Sequence, residues 1–164
     1  MIEMKHLDIK FDNQIIFKNA NFKTCPGKIT GIIGKSGCGK TTFLKALIYQ
    51  YSNQTLSIDE QVITDKNKED YLLNYVSYID QFGTFFENMK IREHFEFISQ
   101  LKNQGFDQDK MLEMLHLVRL DNIDLSYFPS SLSIGKRKRF LIALAMFKDA
   151  SIIIIDEPTA SLDQ

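Results

Sequence analysis

Residues 34–42 read Gly-Lys-Ser-Gly-Cys-Gly-Lys-Thr-Thr and are the most informative segment of the chain. It follows the pattern G-x-x-x-x-G-K-[ST]. The apolar, β-branched run at 29–33 precedes it, and the apolar residues of 43–48 follow it with the density of a buried helix. We therefore predict a buried parallel strand over 29–33, a glycine-rich loop over 34–42 and a helix that begins near Lys40.

The loop has the chemistry of a phosphate site. Its glycines allow the tight bends that bring several backbone N–H groups within hydrogen-bond distance of phosphate oxygens. Lys40 supplies a positive charge for the β and γ phosphates, and the hydroxyl of Thr41 can bind Mg²⁺. The predicted phosphate-binding residues are Gly34, Lys35, Ser36, Gly37, Cys38, Gly39, Lys40, Thr41 and Thr42. The loop thus predicts binding of a nucleoside triphosphate with Mg²⁺.

An acidic motif near the end of the chain supplies the second half of such a site. The four isoleucines at 152–155 favour a central strand covered on both faces, and Asp156 and Glu157 follow it directly. An acid at the tip of a strand beside a phosphate loop can hold Mg²⁺, and we assign this role to Asp156. Glu157 lies where the chain leaves the sheet, so it is the candidate to accept a proton from an attacking water or to orient it.

The middle of the chain changes to helical periodicity. Ile91, Phe95 and Ile98 recur at i, i+4 and i+7. A second amphipathic segment with the same spacing follows a helix cap at Asp107. We predict that residues 84–131 form a small α-helical subdomain.

The flanking regions read as one α/β domain. Short strands are predicted at 15–17 and 20–23, and a helix is predicted over 133–147 ahead of the isoleucine strand. Strand, helix and strand in this order imply a parallel sheet covered by helices. We assign residues 1–83 and 132–164 to this core.

Length and composition exclude several classes of protein. A chain of 164 residues corresponds to about one domain, and 44% hydrophobic with 25% charged residues is typical of globular proteins. The net charge of −1 creates no field to attract nucleic acid, and we interpret the basic run at 136–139 as a solvated helix face. Two cysteines, Cys25 and Cys38, favour a reducing compartment, and neither a secretory signal nor a membrane span is expected. No nucleic-acid partner is predicted.

Three further motifs point to one family. They are Gln81 after a predicted strand at 75–79, Leu132-Ser133-Ile134-Gly135-Lys136, and Thr159-Ala160-Ser161-Leu162-Asp163. Together with the loop and the acidic motif, they make essentially the whole chain resemble the nucleotide-binding domain of ATP-binding cassette (ABC) proteins. The resemblance implies an α/β fold with a P-loop NTPase (RecA-like) core and a parallel sheet. It also implies an N-terminal antiparallel β portion, and the helical subdomain at 84–131.

The segment at 132–136 resembles the family signature LSGGQ. By this resemblance, Ser133 and Gly135 bind the γ phosphate held by the other subunit of a head-to-tail dimer. A serine hydroxyl and backbone N–H groups at a helix start form an anion site. Ile134 replaces the first glycine of the signature and Lys136 replaces its glutamine.

Four other residues take roles by resemblance. Gln81 corresponds to the Q-loop glutamine, which reaches Mg²⁺ and the attacking water and responds to the membrane partner. Phe11 occupies the place of the aromatic residue that stacks on adenine, with Phe17 as a rival candidate. Asp163 corresponds to the D-loop aspartate.

The resemblance implies an ATP-binding subunit of an ABC transporter. It would bind and hydrolyse MgATP with a second ABC subunit, drive an integral membrane permease, and lie in the cytoplasm on the inner face of the membrane. The family's switch histidine falls beyond Gln164, so the chain is expected to be truncated after the D-loop and to turn over ATP slowly. The alternative is a catalytically weak, nucleotide-binding regulatory or immunity subunit.

Overall fold

The computed structural model describes residues 1–51 and 55–158. The chain divides between Tyr71 and Leu72 into two compact units. This boundary does not coincide with either limit of the helical subdomain predicted at 84–131. The subdomain therefore stays a prediction. No helix in the described ranges is both long enough and apolar enough to cross a lipid bilayer.

The first unit is built on an antiparallel sheet with the strand order β2-β1-β3-β4. Its strands are β1 (Ile2–Phe11), β2 (Gln14–Lys23), β3 (Thr55–Ile58) and β4 (Gln61–Val62). The buried side chains of β1 change from even to odd positions between Met4 and Leu7. An inserted residue, a β-bulge, changes the burial pattern in this way. The register between β1 and β2 shifts at the same place. His6 and Asn19 lie beside the shift with left-handed φ angles of 55° and 50°.

The two short strands expected at 15–17 and 20–23 are one strand in the structure. β2 runs through both, and Asn19 lies between them with a left-handed backbone. Asn19 looked like a break in the sequence because asparagine is typical of turns. The structure accommodates it as a bulge, since β1 supplies a partner on both sides of the irregularity.

Helix α1 (Lys40–Leu47) begins at the residue predicted from the loop. Its buried side chains are Phe43, Leu44, Ala46 and Leu47. The Phe43 ring lies 4.9 Å from the Phe22 ring and 5.9 Å from the Phe17 ring, measured between centroids. Aromatic contacts therefore join the helix after the loop to strand β2. The unit ends with a short helix, α2 (Lys68–Asp70).

The parallel strand predicted over 29–33 is not found. The segment has no regular structure, and Ile29 and Ile33 are almost fully exposed. A β-branched run has the propensity for a strand, but a strand exists only where a neighbouring strand pairs with its backbone. No strand in the described part of the chain pairs with this segment.

The second unit combines helices with a parallel pair of strands. A π-helical turn (Tyr71–Tyr75) lies at the division and leads into β5 (Val76–Ile79). The following elements are α3 (Ile91–Leu101), α4 (Gln108–Leu117), a 3₁₀ turn (Pro129–Ser131), α5 (Ile134–Phe147) and β6 (Ile152–Ile155). The rings of Phe95, Phe140 and Phe147 pack edge to face in the core. Several sequence predictions are confirmed: the helices, the Asp107 cap on α4 and a parallel arrangement of strands, which here pairs β5 with β6.

The isoleucine strand does not have the central position that was expected. In the described residues β6 pairs with β5 alone, and Ile153 is 39% exposed while Ile154 is buried. Four apolar residues in a row are buried on both faces only where other elements cover both faces of the sheet, and the face that carries Ile153 is left partly open. The α/β class with an antiparallel portion, a parallel pair and helices is nevertheless confirmed.

Candidate functional site

The phosphate loop holds its lysine against its own backbone. The Lys40 Nζ donates to the carbonyl oxygens of Gly34 and Lys35, at 3.0 Å each. Lys40, Thr41 and Thr42 form the first turn of α1, so the loop leads directly into the N-terminus of this helix. Ammonium, threonine hydroxyls and free backbone N–H groups at one helix start form an environment suited to an anion.

At two positions of the loop, neighbouring side chains leave no room for a Cβ atom, so only glycine fits. A Cβ on Gly34 would lie 2.6 Å from the Cys38 Sγ, and a Cβ on Gly39 would lie 2.6 Å from the Ile16 Cγ2. Gly39 also has a φ of 98°, which other residues rarely adopt. The loop therefore folds tightly on itself and lies close to β2, while Lys35, Ser36, Gly37 and Cys38 are exposed.

The two aromatic candidates for a base contact differ in how they are packed. Phe11 is 46% exposed at the end of β1, and its ring meets the Tyr51 ring edge to face at 6.3 Å between centroids. Phe17 packs on Phe43 beside Gly39. Phe11 thus retains more free ring surface than Phe17. Tyr51 was not identified from the sequence, since no spacing relative to Phe11 marks it.

The acidic motif begins with a buried aspartate. The Asp156 N–H donates to the Ile79 carbonyl at 2.9 Å, which continues the pairing of β6 with β5. Asp156 is 3% exposed, and its Oδ2 has no hydrogen-bond partner among the described residues. A buried carboxylate oxygen without a partner is costly unless a cation or water binds it. The geometry therefore fits the role of a Mg²⁺ ligand, directly or through water.

Glu157 is held by contacts to both its side chain and its main chain. Its Oε2 accepts a hydrogen bond from the Gln81 Nε2 at 2.9 Å, and its carbonyl oxygen accepts one from the Lys138 Nζ at 3.0 Å. The backbone of Glu157 is left-handed, with a φ of 48°. The structure thus brings together Gln81 and Glu157, two of the residues predicted for the hydrolytic step.

The loop that carries Gln81 is organised by its neighbour. The Asp80 carboxylate accepts hydrogen bonds from the backbone N–H groups of Gly83 and Thr84 and from the Thr84 hydroxyl. Partial burial raises the pKa of Asp80, but the hydrogen bonds from Thr84 and Gly83 outweigh it and hold this pKa below its usual range. An ionised Asp80 therefore fixes the turn that follows Gln81 at neutral pH.

The signature segment lies at the N-terminus of α5. Ser133 is the N-cap residue, and its side chain accepts a hydrogen bond from the Lys136 N–H at 3.4 Å. Ser133 and Ile134 are exposed, and Gly135 lies in the first turn. A long helix whose exposed first turn contains a serine and a glycine is suited to contact an anion.

The basic run at 136–139 is not a solvated face. Arg137 donates to the carbonyls of Leu132 at 2.8 Å and Ser130 at 2.8 Å, and thereby holds the turn ahead of the signature. Arg139 donates to the carbonyls of residues 118 and 119, at the end of α4. Lys138 is buried. Sequence reasoning missed this because a run of charges does not show which carbonyls lie within reach.

The site residues belong to different units. The phosphate loop and both aromatic candidates are in the first unit, whereas Gln81, Asp156, Glu157 and the signature are in the second. Asp163 and the rest of the motif at 159–163 lie outside the described residues.

Comparison with known families gives one match, to the family model described as "ABC transporter", over residues 17–160. Among curated relatives, the methionine import ATP-binding protein MetN of Chlamydia felis is 30% identical over 99% of this chain and 50% of its own length. The aliphatic sulfonates import ATP-binding protein SsuB of Bacillus thuringiensis is 32% identical over 90% of this chain and 57% of its own length. The chain thus spans about half the length of these relatives.

Solved structures share the fold. A dimeric bacterial ABC transporter cassette, MJ0796, superposes with a TM-score of 0.85 and 25% identity over 99% of this chain and 76% of the cassette. The same cassette in a post-hydrolysis dimer bound to ADP and Pi gives a TM-score of 0.85 with 24% identity, covering 100% of this chain and 77% of the cassette.

Proposed function

The chain belongs to the ABC transporter family, and on this premise we propose that it is the ATP-binding subunit of an ABC transporter. It binds MgATP and hydrolyses it as one half of a dimer, and the cycle of binding and release drives a membrane permease. Curated relatives with import ATP-binding names support this assignment. The position on the inner face of the membrane follows from the permease partner and is part of the same proposal.

The observation on which the proposal depends is the packing of Lys40. Its ammonium lies over the loop and is held by two neutral carbonyls, from Gly34 and Lys35. Phosphate oxygens are stronger acceptors for an ammonium than neutral carbonyls, because both partners are charged. The triphosphate of ATP therefore replaces these contacts, and the backbone N–H groups at the start of α1 complete the site.

Mg²⁺ fits the donors that the chain offers. Asp156 contributes its unpartnered Oδ2, and Thr41 contributes a hydroxyl from the first turn of α1. When bound, the ion neutralises charge on the β and γ phosphates. The bond to Ile79 fixes the backbone of Asp156.

Gln81 and Glu157 act together on the attacking water. The Glu157 carboxylate accepts the proton or orients the water, and the Gln81 amide holds this carboxylate through the bond between Nε2 and Oε2. An amide beside a carboxylate can donate to it without competing for its proton. The pair is thus suited to general base catalysis.

The second subunit contributes its signature to this nucleotide. Ser133 and Gly135, at the start of α5, bind the γ phosphate held by the partner. Phe11 stacks on the adenine. Ile134 adds an exposed apolar side chain to the signature where the family has glycine.

Lys40→Ala tests the proposal. We expect about 10- to 100-fold weaker ATP binding by isothermal titration calorimetry, because one charged hydrogen-bond donor to the phosphates is lost. Lys28→Ala is the control: this exposed lysine lies ahead of the loop, and its loss should leave the affinity unchanged. Equal affinity of Lys40→Ala and the wild type would contradict the assignment of the phosphate loop. Tight binding without any turnover, even with a permease, would favour the regulatory or immunity subunit instead.

A further inference from the structure

Lys138 is a buried cation that the proposed mechanism leaves unused. It lies on α5 with only 9% of its surface exposed, and its Nζ donates to the main-chain carbonyl of Glu157 at 3.0 Å. Burial of an ammonium is costly unless strong hydrogen bonds compensate it. Contact with solvent therefore does not explain the position of Lys138. Its acceptor is the carbonyl of Glu157, the residue proposed to act on the attacking water.

The backbone at Glu157 needs support. β6 pairs with β5 as far as the Asp156 N–H, and the next residue has a φ of 48°. A residue with a side chain is strained in this conformation. A hydrogen bond to the carbonyl of Glu157 stabilises the turned peptide, and with it the direction in which the carboxylate leaves the main chain.

The two contacts of Glu157 therefore have separate tasks. Gln81 holds the carboxylate, and Lys138 holds the main chain. Misplacement of a catalytic group by about 1 Å can lower a rate by about 100-fold. Loss of the main-chain contact should thus lower the rate of hydrolysis.

Lys138 also lies on the helix that begins with the signature. It follows Ile134 by four residues, so the two side chains share one face of α5, and Ser133 caps the same helix. A helix transmits displacement along its axis because its backbone hydrogen bonds make it stiff. Displacement of the first turn therefore reaches Lys138 and, through it, the Glu157 carbonyl.

We propose that Lys138 is a positioning residue, which fixes the main chain of Glu157 for hydrolysis and connects it to the signature at the start of α5. This inference rests on the proposed function, since it assigns a task to Lys138 only if Glu157 acts on water. It predicts that Lys138 affects the rate of the chemical step and leaves nucleotide affinity unchanged.

The test compares three variants of the 164-residue chain. Lys138→Met keeps the length of the side chain and removes the donor, Lys138→Arg keeps a donor, and Arg139→Met removes a neighbouring cation that does not contact Glu157. We measure the affinity for ATP by calorimetry and phosphate release from radiolabelled ATP in single turnovers with excess protein. Lys138→Met should lower the rate about 10- to 100-fold with affinity unchanged within about 2-fold. Lys138→Arg should restore most of the rate, and Arg139→Met should match the wild type.

A double variant shows whether Lys138 acts through Glu157. If it does, adding Lys138→Met to Glu157→Gln should lower the rate no further, because the carboxylate that it positions is already gone. A wild-type rate in Lys138→Met, an additive loss in the double variant, or equal losses of rate and affinity would each overturn this inference and leave the proposed function intact. A wild-type chain that neither binds nor hydrolyses ATP would overturn the proposed function. If Lys138→Met does not fold, Lys138→Gln, which is shorter and uncharged, replaces it: a lower rate with unchanged affinity supports the inference, and a wild-type rate contradicts it.

Discussion

His94 shows how one side chain can make stability depend on pH. It is 4% exposed, its Nδ1 lies 2.7 Å from the Lys90 carbonyl, and its Nε2 lies 3.2 Å from the Phe86 N–H. Nδ1 must carry the proton to donate to the carbonyl, and Nε2 must be bare to accept from Phe86. Both contacts are therefore satisfied only by the neutral imidazole.

The pKa of His94 determines the direction of the effect. Burial lowers this pKa, and the hydrogen bond to Lys90 and the charge of Glu93 oppose the shift without cancelling it. Because the folded pKa lies below the unfolded value of about 6.5, folding is favoured by the neutral form. Its contribution to stability is fully present above about pH 6.5. It is lost as the pH falls below this value and through the lower pKa of the folded state.

We predict that His94→Gln reduces the loss of stability between pH 7 and pH 5. Urea unfolding at several pH values gives the free energy of unfolding, and its slope against pH should be smaller for this variant than for the wild type. His6→Gln is the control, because His6 is exposed and lies in the first unit. Parallel slopes for His94→Gln and the wild type would contradict the assignment of the neutral histidine.

At the scale of the element, the end of α1 depends on one hydroxyl. The buried Tyr71 donates from its OH to the Leu47 carbonyl at 2.7 Å, at the last residue of this helix. Carbonyls at the end of a helix have no partner within it, so a side-chain donor satisfies one of them. Burial also raises the pKa of Tyr71 well above its usual range, which keeps the phenol protonated.

Tyr71→Phe should lower the free energy of unfolding by about 1–3 kcal/mol, because a buried carbonyl loses its donor while the ring keeps its packing. Tyr127→Phe removes an exposed hydroxyl and should change stability by less than about 0.5 kcal/mol. Chemical denaturation of both variants measures the difference. Equal stabilities of the two variants would show that the bond to Leu47 contributes nothing net.

The local signals in the sequence predicted most of the elements. The glycine loop predicted the start of α1 at Lys40, Asp107 predicted the cap of α4, and the helical period predicted α3 and α4. Each of these signals acts within one or two helical turns, so a single sequence is enough to detect it. The contact between Tyr71 and Leu47 spans 24 residues and has no such signature.

At the scale of the whole molecule, the proposed dimer gives a further prediction. Glu157→Gln removes the carboxylate with little change in shape, so MgATP should stay bound and hold two chains together. We expect a dimer by size-exclusion chromatography with light scattering in the presence of ATP, and a monomer with ADP. The double variant Lys40→Ala with Glu157→Gln is the control and should stay monomeric, because it binds ATP poorly. Normal hydrolysis by Glu157→Gln would contradict the role of Glu157.

Sequence alone was enough to identify the family. The phosphate loop, Gln81, the signature and the acidic pair follow one another in the family's order, and each can be recognised from a short stretch of the chain. Asp156 at a strand end and Ser133 at a helix start were correct for the same reason.

Which residues contact one another became clear from the folded chain. It joined Gln81 to Glu157 across 76 residues, placed Lys138 under the Glu157 carbonyl, and left the segment at 29–33 without a strand partner. Propensity and spacing describe what a segment can do next to its own neighbours in sequence. Strand pairing, burial of a cation and the choice of its acceptor depend on surfaces that folding brings together from distant parts of the chain.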